Sequence, residues 1–376
     1  MNAAPLAGIR IIEVGHMLAG PYCGLLLADL GAEVIKVEPP EGDIARKVSP
    51  HFVGLHNAYF ASLNRNKKSV VIDLASAAGR SELEQLAVSA HALVTNLRPS
   101  AIRKLGLTYA GLRECNPRLV CVALTGYGLD GPYSESPAYD YVIQALTGVM
   151  QLTGDPSSPP TKAGYSAVDN SAGLAAAVGL LAKIVQGQGG QVDVAMYDVM
   201  LSQLNYLAGA ALNTGEVVQR LANSSHPYMV PAQIFPTGDG WLTLFITHDK
   251  FWQKFALEIG KPEWVSDPVY ATMAARRGNR TEVLAAIAEV LATASAAEWV
   301  RRLAPLGVVA SEVETLEQAL QSRLTASRDL VVPLGAPADK LRAIASPLKF
   351  DGYTPHYGLP PLLDQHRGEV LGKVVA

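Results

Sequence analysis

The sequence predicts an α/β protein in two parts, a large domain with a parallel sheet and a smaller α+β domain. Short runs rich in β-branched residues alternate with helical segments through the first 200 residues. This alternation is typical of a parallel sheet flanked by helices. The chain then becomes polar and rich in turn residues, and a strand pair around "TGDG" leads into amphipathic helices. With 376 residues, of which 49% are hydrophobic, there is enough apolar material for both cores.

The strands of the large domain are predicted from apolar runs. They are "GIRIIEV" (8–14), "EVIKV" (33–37), "KSVVIDL" (68–74), "HALVTN" (91–96), "RLVCVAL" (118–124) and "QVDVAM" (191–196). The segments between the first five have helical character and end at helix breakers: "GPYCGLLLADLG", "AAGRSELEQLAVSA" and "PSAIRKLG". Two apolar helices complete the domain, one beginning near residue 171 and the other spanning 197–212.

The domain boundaries follow from the changes in composition. We assign the large domain to 1–212, a linker to 213–230 and the small α+β domain to 231–330. In the small domain, "AQIFPTGDGWLTLFI" predicts two strands joined by a tight turn. We expect the C-terminal segment, 331–376, to return to the large domain, because it regains extended apolar stretches.

The charge balance of the chain excludes some classes of partner. With 31 basic and 34 acidic residues the net charge is −3, so we expect no general attraction to nucleic acid or to an anionic membrane. Cys23, Cys115 and Cys121 form no CxxC pair, and we expect reduced thiols, no disulfide and no metal site. The N-terminus lacks the pattern of a signal peptide, which predicts a cytoplasmic protein.

Phosphate-binding motifs are weak in this sequence. "GYGLDG" (126–131) fits GxGxxG, but Pro132 and Pro137 prevent a helix from starting directly after it. Glu38 ends the second strand where a dinucleotide fold keeps its ribose-binding acid, yet the glycines after the first strand have the wrong spacing. The pattern therefore indicates Rossmann-like architecture without a dinucleotide site. No GxxxxGK[ST], HExxH or GxSxG sequence occurs.

Two clusters of cations are candidate sites for an anionic ligand. They are "NRNKKS" (64–69), with Arg65, Lys67 and Lys68, and "NLRPSAIRKLG" (96–106), with Arg98, Arg103 and Lys104. Each cluster is next to a predicted strand, so a loop can present its charge to phosphates at the edge of the sheet. Solvated surface charge is the alternative for each residue.

One acidic residue stands at the start of a predicted helix. In "GYSAVDNSAGLAAAVGLLAKIV" (164–185), Asp169 comes directly before a run of small apolar residues typical of a buried helix. Because Asp, Asn and Ser accept hydrogen bonds from the free N–H groups of a first turn, the local sequence favours a capping role for Asp169. A catalytic carboxylate is the alternative.

Eight stretches of the sequence together resemble one enzyme family. They are "PLAGIRIIEV", "AGPYCGLLLADLGAEVIKVEPPEGD", "LNRNKKSVVIDL", "LVTNLRPSAIRKLGLTYAGL", "NPRLVCVALTGYGLDGPYSESPAYD", "AVDNSAGLAAAVGLLA", "QVDVAMYD" and "PPLLDQHRGEVL". In this order, over nearly the whole length, the chain is similar to class III CoA-transferases of the CaiB/BaiF type, which include formyl-CoA transferase and carnitine CoA-transferase. The resemblance implies a Rossmann-like large domain, a small domain on extended linkers, and a homodimer of two interlocked rings.

The resemblance also implies that Asp169 is the nucleophile. Its carboxylate attacks an acyl-CoA to give a mixed anhydride, and CoA then attacks the aspartyl carbonyl to give an aspartyl-CoA thioester. A serine nucleophile would form an ester and lose the free energy of the thioester. From the ordinary Asp pKa of about 3.9 we expect Asp169 to be ionised at neutral pH. Partial desolvation would strengthen its attack but favour protonation, whereas N–H groups of the following helix would hold the charged form. CoA thioesters are then substrates, and no permanently bound cofactor is implied.

Carried over position by position, the resemblance implies contacts to CoA. These fall at Leu18, Ala19, Ile72, Asp73, Leu74, Ala75, Asn96, Leu97, Arg98, Lys104, Pro137, Ala138, Tyr139 and Asp140. Three positions that carry a cation in some members are Pro39, Ala75 and Pro137 here. Arg98 and Lys104 are therefore the cations we expect at the phosphates.

The acceptor acid and two other functions stay open. The linker lacks the glycine-rich loop of formyl-CoA transferase, which argues against oxalate and favours succinyl-CoA with small dicarboxylic acids such as glutarate, itaconate or citramalate. Carnitine, bile-acid and aromatic acceptors remain alternatives. An α-methylacyl-CoA racemase would need a histidine where "PAYD" has Tyr139, and a tyrosine of ordinary pKa is a poor base at neutral pH. A non-enzymatic CoA-binding protein would not need Asp169.

Overall fold

Strands and helices alternate along the first 200 residues, as the sequence predicts. The structure, a computed structural model, describes residues 3–372. Its strands are β1 (Arg10–Val14), β2 (Glu33–Glu38), β3 (Phe52–Val53), β4 (His56–Asn57), β5 (Lys68–Val71), β6 (Ala92–Thr95), β7 (Val120–Thr125), β8 (Gly190–Ala195), β9 (Ala232–Pro236), β10 (Trp241–Phe245), β11 (Val309–Glu312), β12 (Val331–Pro333) and β13 (Arg342–Ile344).

The helices lie mostly between strands of the sheets. They are α1 (Ala19–Asp29), α2 (Ala58–Asn64), α3 (Ala77–Ser89), α4 (Pro99–Lys104), α5 (Tyr109–Leu112), α6 (Asp140–Leu146), α7 (Val149–Leu152), α8 (Ala167–Gln186), α9 (Met196–Ser202), α10 (Asn205–Thr214), α11 (Asp249–Glu258), α12 (Met273–Gly278), α13 (Arg280–Leu291), α14 (Ala296–Leu303), α15 (Leu316–Gln321), α16 (Arg323–Ser327) and α17 (Arg367–Val370). Short 3-10 turns occupy Ile44–Arg46, Ala222–Ser224, Pro262–Val265, Ala304–Leu306 and Pro337–Asp339.

Six strands form one parallel sheet in the order β5-β2-β1-β6-β7-β8. Numbered along the chain, this is the Rossmann order 3-2-1-4-5-6, which confirms the predicted parallel sheet. The order reverses between β1 and β6, which are neighbours. The loops that follow these two strands therefore border a crevice at the carboxyl edge of the sheet, where folds of this kind bind ligands.

The chain divides into two units. The first contains the parallel sheet and comprises residues 1–147, 164–210 and 323–376; the second comprises 148–163 and 211–322. Within the first unit, the C-terminal segment packs along the edge strand β5: the Asp364 carboxylate accepts a hydrogen bond from Val71 N, and His366 Nδ1 accepts one from Ser69 N. These contacts satisfy backbone groups that an edge strand otherwise leaves exposed.

The second unit has its own sheet and core. Strands β9 and β10 pair antiparallel across the predicted turn, and β11 extends the sheet on the far side of β10. The rings of Trp252, Trp264 and Tyr270 stack in the core, with Trp264 and Tyr270 centroids 4.7 Å apart. The Arg276 guanidinium lies 4.5 Å from the centre of the Trp252 ring and binds Asp249, so its buried charge is paired.

Three predicted elements differ from the structure. The strand predicted at 68–74 ends at Val71, because its partner β2 ends at Glu38 and is followed by prolines, which have no N–H for a ladder. The helix predicted at 197–212 is two helices, α9 and α10, with a break at 203–204. The helix predicted near 171 begins at Ala167, so Asp169 is its third residue.

Close packing between α1 and α8 brings the start of α8 to the crevice. A Cβ on Gly173 would lie 2.8 Å from the carbonyl oxygen of Ala19, so only glycine allows this approach. Of the single helices in the described residues, α8 is long and apolar enough to cross a membrane. It packs on α1, β7 and β8, as a core helix of a globular protein does.

Candidate active site

The turn after β1 is tied to the loop after β6. The Asn96 side chain accepts a hydrogen bond from His16 N and donates one to His16 O, both at 3.0 Å. A Cβ on Gly15 or Gly20 would lie within 2.5 or 2.9 Å of Asn96 Oδ1, so both glycines make room for this side chain. The amide thereby joins the two strands at the point where their order reverses.

A cluster of buried, ion-paired side chains also binds the backbone of this turn. Lys36 is fully buried, and its Nζ lies 3.0 Å from Glu13 Oε1 and 2.9 Å from Asp43 Oδ2. Lys36 also donates to Gly15 O at 3.0 Å, and Asp43 Oδ1 accepts from Met17 N at 3.2 Å. Met17 has φ 61°, a left-handed conformation that costs energy for a residue with a side chain. The neighbours of the turn therefore hold it in a strained shape.

Asp169 does not cap its helix. Ser166 occupies the N-cap position, without a side-chain cap bond, and the free N–H groups of the first turn donate instead to Asp140. Asp140 Oδ1 accepts from Val168 N at 2.8 Å and from Asp169 N at 3.4 Å, and Gln144 Nε2 donates to Asp140 Oδ2 at 2.6 Å. The local sequence suggested a capping role for Asp169, and this was wrong, because the cap comes from a residue on another helix.

The same arrangement changes the charge state of Asp169. Burial, and secondly the negative charge of Asp140, raise the pKa of Asp169 to about 7. The expectation of full ionisation at neutral pH is therefore wrong, and so is the expectation that the helix N–H groups stabilise its charge. Those N–H groups bind Asp140, and Asp169 is left as a partly protonated acid at pH 7.

Two adjoining cavities lie over the crevice. The larger, of about 740 Å³, extends from the ends of β1 and β2 to the loop 72–75, and the smaller, of about 110 Å³, contains Asp169. Their shared walls are His16, Met17, Leu97 and Tyr139. The pair forms an elongated space in which a large group can bind in one cavity and a small group in the other, beside Asp169.

Most of the residues implied as CoA contacts line these cavities. Those in the wall of the larger cavity are Ile72, Asp73, Leu74, Ala75, Leu97 and Tyr139. Those in the wall of the smaller cavity, with Asp169, are Leu18, Ala19, Asn96, Leu97, Arg98, Ala138 and Tyr139. Lys104, Pro137 and Asp140 line neither cavity, although Asp140 binds the helix turn that carries Asp169.

The first cation cluster is structural. Arg65 binds Asp29 at 2.6 Å and Lys67 binds Glu13 at 2.7 Å, and all four side chains are buried. Lys68 is paired with Glu33 at 2.6 Å. The interpretation of "NRNKKS" as a phosphate site was therefore wrong, since buried charges of this kind need internal partners.

In the second cluster, Arg103 is paired with Glu135, whereas Arg98 and Lys104 are exposed and form no ion pair with the described residues. They are the members of that cluster left to bind an anion. Arg98 reaches the smaller cavity from the N-cap position of α4.

Three further residues of the site were missed by sequence reasoning. His16 and Lys47 line the larger cavity, and Tyr59 lines the smaller one. Burial, followed by the negative charges of Asp169 and Asp43, raises the pKa of Tyr59, which reflects how near the phenol lies to these carboxylates. None of the three residues lies in a stretch quoted for a predicted element or for the family resemblance, so those stretches held no signal for them.

Comparison with known proteins shows the family of this chain. The model of CoA-transferase family III matches residues 6–367. This chain belongs to that family. A solved CaiB/BaiF family protein from Brucella suis superposes with a TM-score of 0.86 at 30% identity, covering 98% of this chain and 100% of the other. The resemblance seen in the sequence is thus confirmed, and the protein is a class III CoA-transferase.

Characterised relatives of the transferase have different acceptors. An acetyl-CoA:oxalate CoA-transferase from Acetobacter aceti is 32% identical, over 99% of this chain and 96% of its own length. A succinate–glutarate CoA-transferase from Agrobacterium fabrum is also 32% identical, over 98% of this chain and 96% of its own length. Equal identity to both means that overall similarity does not separate oxalate from glutarate as the acceptor.

Proposed function

We propose that this transferase moves CoA from an acyl-CoA to a small carboxylic acid with Asp169 as its nucleophile. The observation that carries the proposal is the position of Asp169: it lies in the smaller cavity, beside a larger cavity at the reversal of strand order. CoA would bind with its nucleotide in the larger cavity and its thioester in the smaller one. Lys47 would then be the cation beside the nucleotide, whereas Arg98 would lie at the thioester end and Lys104 outside both cavities.

The reaction conserves the thioester through two half-reactions. The Asp169 carboxylate attacks the thioester carbonyl, and the C–S bond breaks. CoA leaves as a thiolate, and the product is a mixed anhydride of Asp169 and the donor acid. The thiolate attacks the aspartyl carbonyl of the anhydride, which expels the donor acid as a carboxylate and leaves an aspartyl-CoA thioester. The acceptor carboxylate attacks the carbonyl of this thioester, which releases CoA as a thiolate and gives a mixed anhydride of Asp169 and the acceptor. The thiolate then attacks the acceptor carbonyl of the anhydride, which gives the new acyl-CoA and frees the Asp169 carboxylate.

For the substrates, we propose succinyl-CoA as donor and a small dicarboxylic acid as acceptor. Several relatives support this choice by name, among them the succinate–glutarate enzyme and a succinyl-CoA–D-citramalate CoA-transferase from Chloroflexus aurantiacus. The smaller cavity, of about 110 Å³, favours a short acid. The racemase alternative has less support, because Asp140, the acid beside Tyr139, is already bound by helix N–H groups and by Gln144.

We also propose that the enzyme is a cytoplasmic homodimer. Support comes from apolar side chains of α6, α8 and α9 that are exposed in the single chain. They include Tyr141, Val142, Leu146, Leu174, Val178 and Leu201. Their helices are packed on one another, so the apolar side chains form one extended surface of the kind that a subunit interface covers.

The test is a mass-spectrometric assay with Asp169→Asn and the control Asp198→Asn. Asp198 is also the third residue of its helix, α9, but it is exposed and lies outside both cavities. A panel of acyl-CoA donors and carboxylic acids is incubated with each enzyme. We expect transfer by the wild type and the control and none by Asp169→Asn, because an amide cannot form the anhydride.

The intermediate is sought on the same residue. Wild-type enzyme incubated with acyl-CoA and then treated with hydroxylamine should carry a hydroxamate at position 169, and borohydride should reduce the same side chain. Transfer by an Asp169→Asn enzyme that mass analysis shows to be free of deamidation, with no adduct at 169, would refute the mechanism.

A further inference from the structure

The imidazole of His16 makes no hydrogen bond with any residue between 3 and 372, and its Nδ1 is buried without a partner. Leaving a buried polar group unpaired is costly, so such a group in a cavity wall calls for an explanation. Both the N–H and the C=O of the same residue are bound by Asn96, which fixes the backbone that carries the ring.

The strained backbone next to His16 also indicates that this residue is held in place for a ligand. Met17, the next residue, adopts its left-handed conformation only because Asp43 binds its N–H and Lys36 binds the carbonyl of Gly15 on the other side of His16. A hydrogen-bonded core histidine would not need this support. A backbone held in a costly conformation beside a cavity is typical of a residue that must be presented to a ligand.

His16 lies at the junction of the two cavities, since the residue lines both. On the proposed function, the nucleotide of CoA fills the larger cavity and the thioester reaches Asp169 in the smaller one. The part of CoA that joins these ends is the pantetheine arm, which carries two amides. This arm must therefore pass His16.

The charge state of His16 suits an amide. Burial lowers its pKa, the nearby positive charge of Lys36 acts in the same direction, and the negative charge of Asp43 only partly opposes them, so the ring is neutral at physiological pH. A neutral imidazole has one donor and one acceptor, as an amide has. An imidazolium would have donors only and would match a phosphate better.

We propose that His16 hydrogen-bonds an amide of the pantetheine arm as the arm passes from the larger to the smaller cavity. This proposal rests on the proposed function. His16 is then a positioning residue: it fixes how far the thioester reaches toward Asp169, and it does not exchange a proton with the reacting groups. Its contribution should depend on whether the donor has an amide, and not on the acyl group.

The experiment compares four donors that carry the same acyl group: the CoA thioester, the pantetheine thioester, the N-acetylcysteamine thioester and a simple alkyl thioester without an amide. Values of kcat/KM are measured for the wild type, His16→Phe, His16→Gln and the control His51→Phe, whose histidine is exposed and lines neither cavity. Circular dichroism and melting curves check that each variant is folded.

We expect His16→Phe to lose about tenfold in kcat/KM on donors with the bound amide and nothing on the alkyl thioester. Loss that first occurs with N-acetylcysteamine assigns the amide nearer the sulfur, and loss that first occurs with pantetheine assigns the outer one. His16→Gln, which keeps a donor and an acceptor, should recover part of the activity, and His51→Phe should match the wild type.

An equal loss on all four donors, or no loss on any of them, overturns the role of His16 while leaving transfer by the wild type intact. If the wild type itself transfers from no acyl thioester, the proposed function fails, and the role of His16 fails with it. If His16→Phe does not fold, His16→Gln decides, because the loss must still be confined to donors with an amide.

Discussion

Replacing Asp140 by Asn should move the pH dependence of transfer toward acid. The Asp140 carboxylate accepts hydrogen bonds from the N–H groups of Val168 and Asp169 and places a negative charge beside Asp169, the proposed nucleophile. Asn keeps an oxygen that can accept the same bonds and is as good a helix cap as Asp. The substitution therefore removes the charge and retains the cap.

The size of the shift follows from the causes of the raised pKa. The pKa of Asp169 rises from 3.8 to about 7 through burial and, as the smaller cause, through the charge of Asp140. Removing that charge takes away less than half of the rise, and we expect the apparent pKa to fall by about one. At pH 6 the ionised fraction of Asp169 would then increase from about one tenth to about one half, so kcat/KM increases about fivefold.

The assay is kcat/KM for acyl-CoA between pH 5 and 9, followed by mass spectrometry. The wild-type value should rise with pH to a plateau above pH 7. The Asp140→Asn profile should rise at lower pH, to a plateau no higher than that of the wild type, because a carboxylate of lower pKa is a weaker nucleophile. Asp130→Asn is the control, since Asp130 is almost fully exposed. An unchanged apparent pKa in Asp140→Asn, or a flat wild-type profile, would refute this account of the nucleophile.

Three other predictions concern stability, CoA binding and assembly. Asp169→Asn should raise the free energy of unfolding in urea by about 4 kcal/mol at pH 8 and by less than half of that at pH 5. The reason is that the folded pKa of Asp169 is raised, so the cost of ionising it in the folded protein grows as the pH rises from about 4 to 7. Equal gains at both pH values would contradict this prediction. Lys47→Gln should raise KM for acyl-CoA about threefold but not for its 3′-dephospho analogue, because Lys47 lines the larger cavity and would contact the 3′-phosphate. Lys349→Gln, an exposed control, should change KM for neither donor. An increase in KM common to both donors would exclude a contact to the 3′-phosphate. Val178→Lys, on the exposed face of α8, should weaken the dimer in light scattering, and a wild-type monomer at micromolar concentration would exclude the dimer.

The features predictable from the sequence are those set by local patterns. The parallel sheet follows from the alternation of β-branched runs and helical segments, and the strand pair of the second unit follows from "TGDG". The start of α8 was placed four residues late, because its cap is the carboxylate of Asp140, 28 residues from Val168. A cap supplied from another helix leaves no local signal.

Charge partners were the second feature that local patterns did not predict. Lys67 and Arg65 have the sequence of an exposed basic loop, yet each pairs with a buried acid that comes much earlier in the chain. Lys47, by contrast, follows the ion-paired Arg46 and is exposed in the wall of the larger cavity, where it can meet a ligand. The charge of a side chain can be read from its own position in the sequence, whereas its ion-pair partner depends on the order of the strands.

The two carboxylates also explain how one side chain can serve both halves of a transfer. A carboxylate of ordinary pKa is a weak nucleophile, and raising the pKa makes it a stronger one while lowering the fraction that is ionised. The best compromise lies where the pKa is close to the working pH, and burial together with Asp140 brings the pKa of Asp169 to about 7. Because Asp140 accepts hydrogen bonds from the helix N–H groups, Asp169 is not held in a cap, and as the proposed nucleophile it would be free to attack the donor and later to be released by the acceptor. The residue that caps the helix is therefore different from the proposed nucleophile, and the charge of the cap adds to the larger effect of burial on the pKa of Asp169.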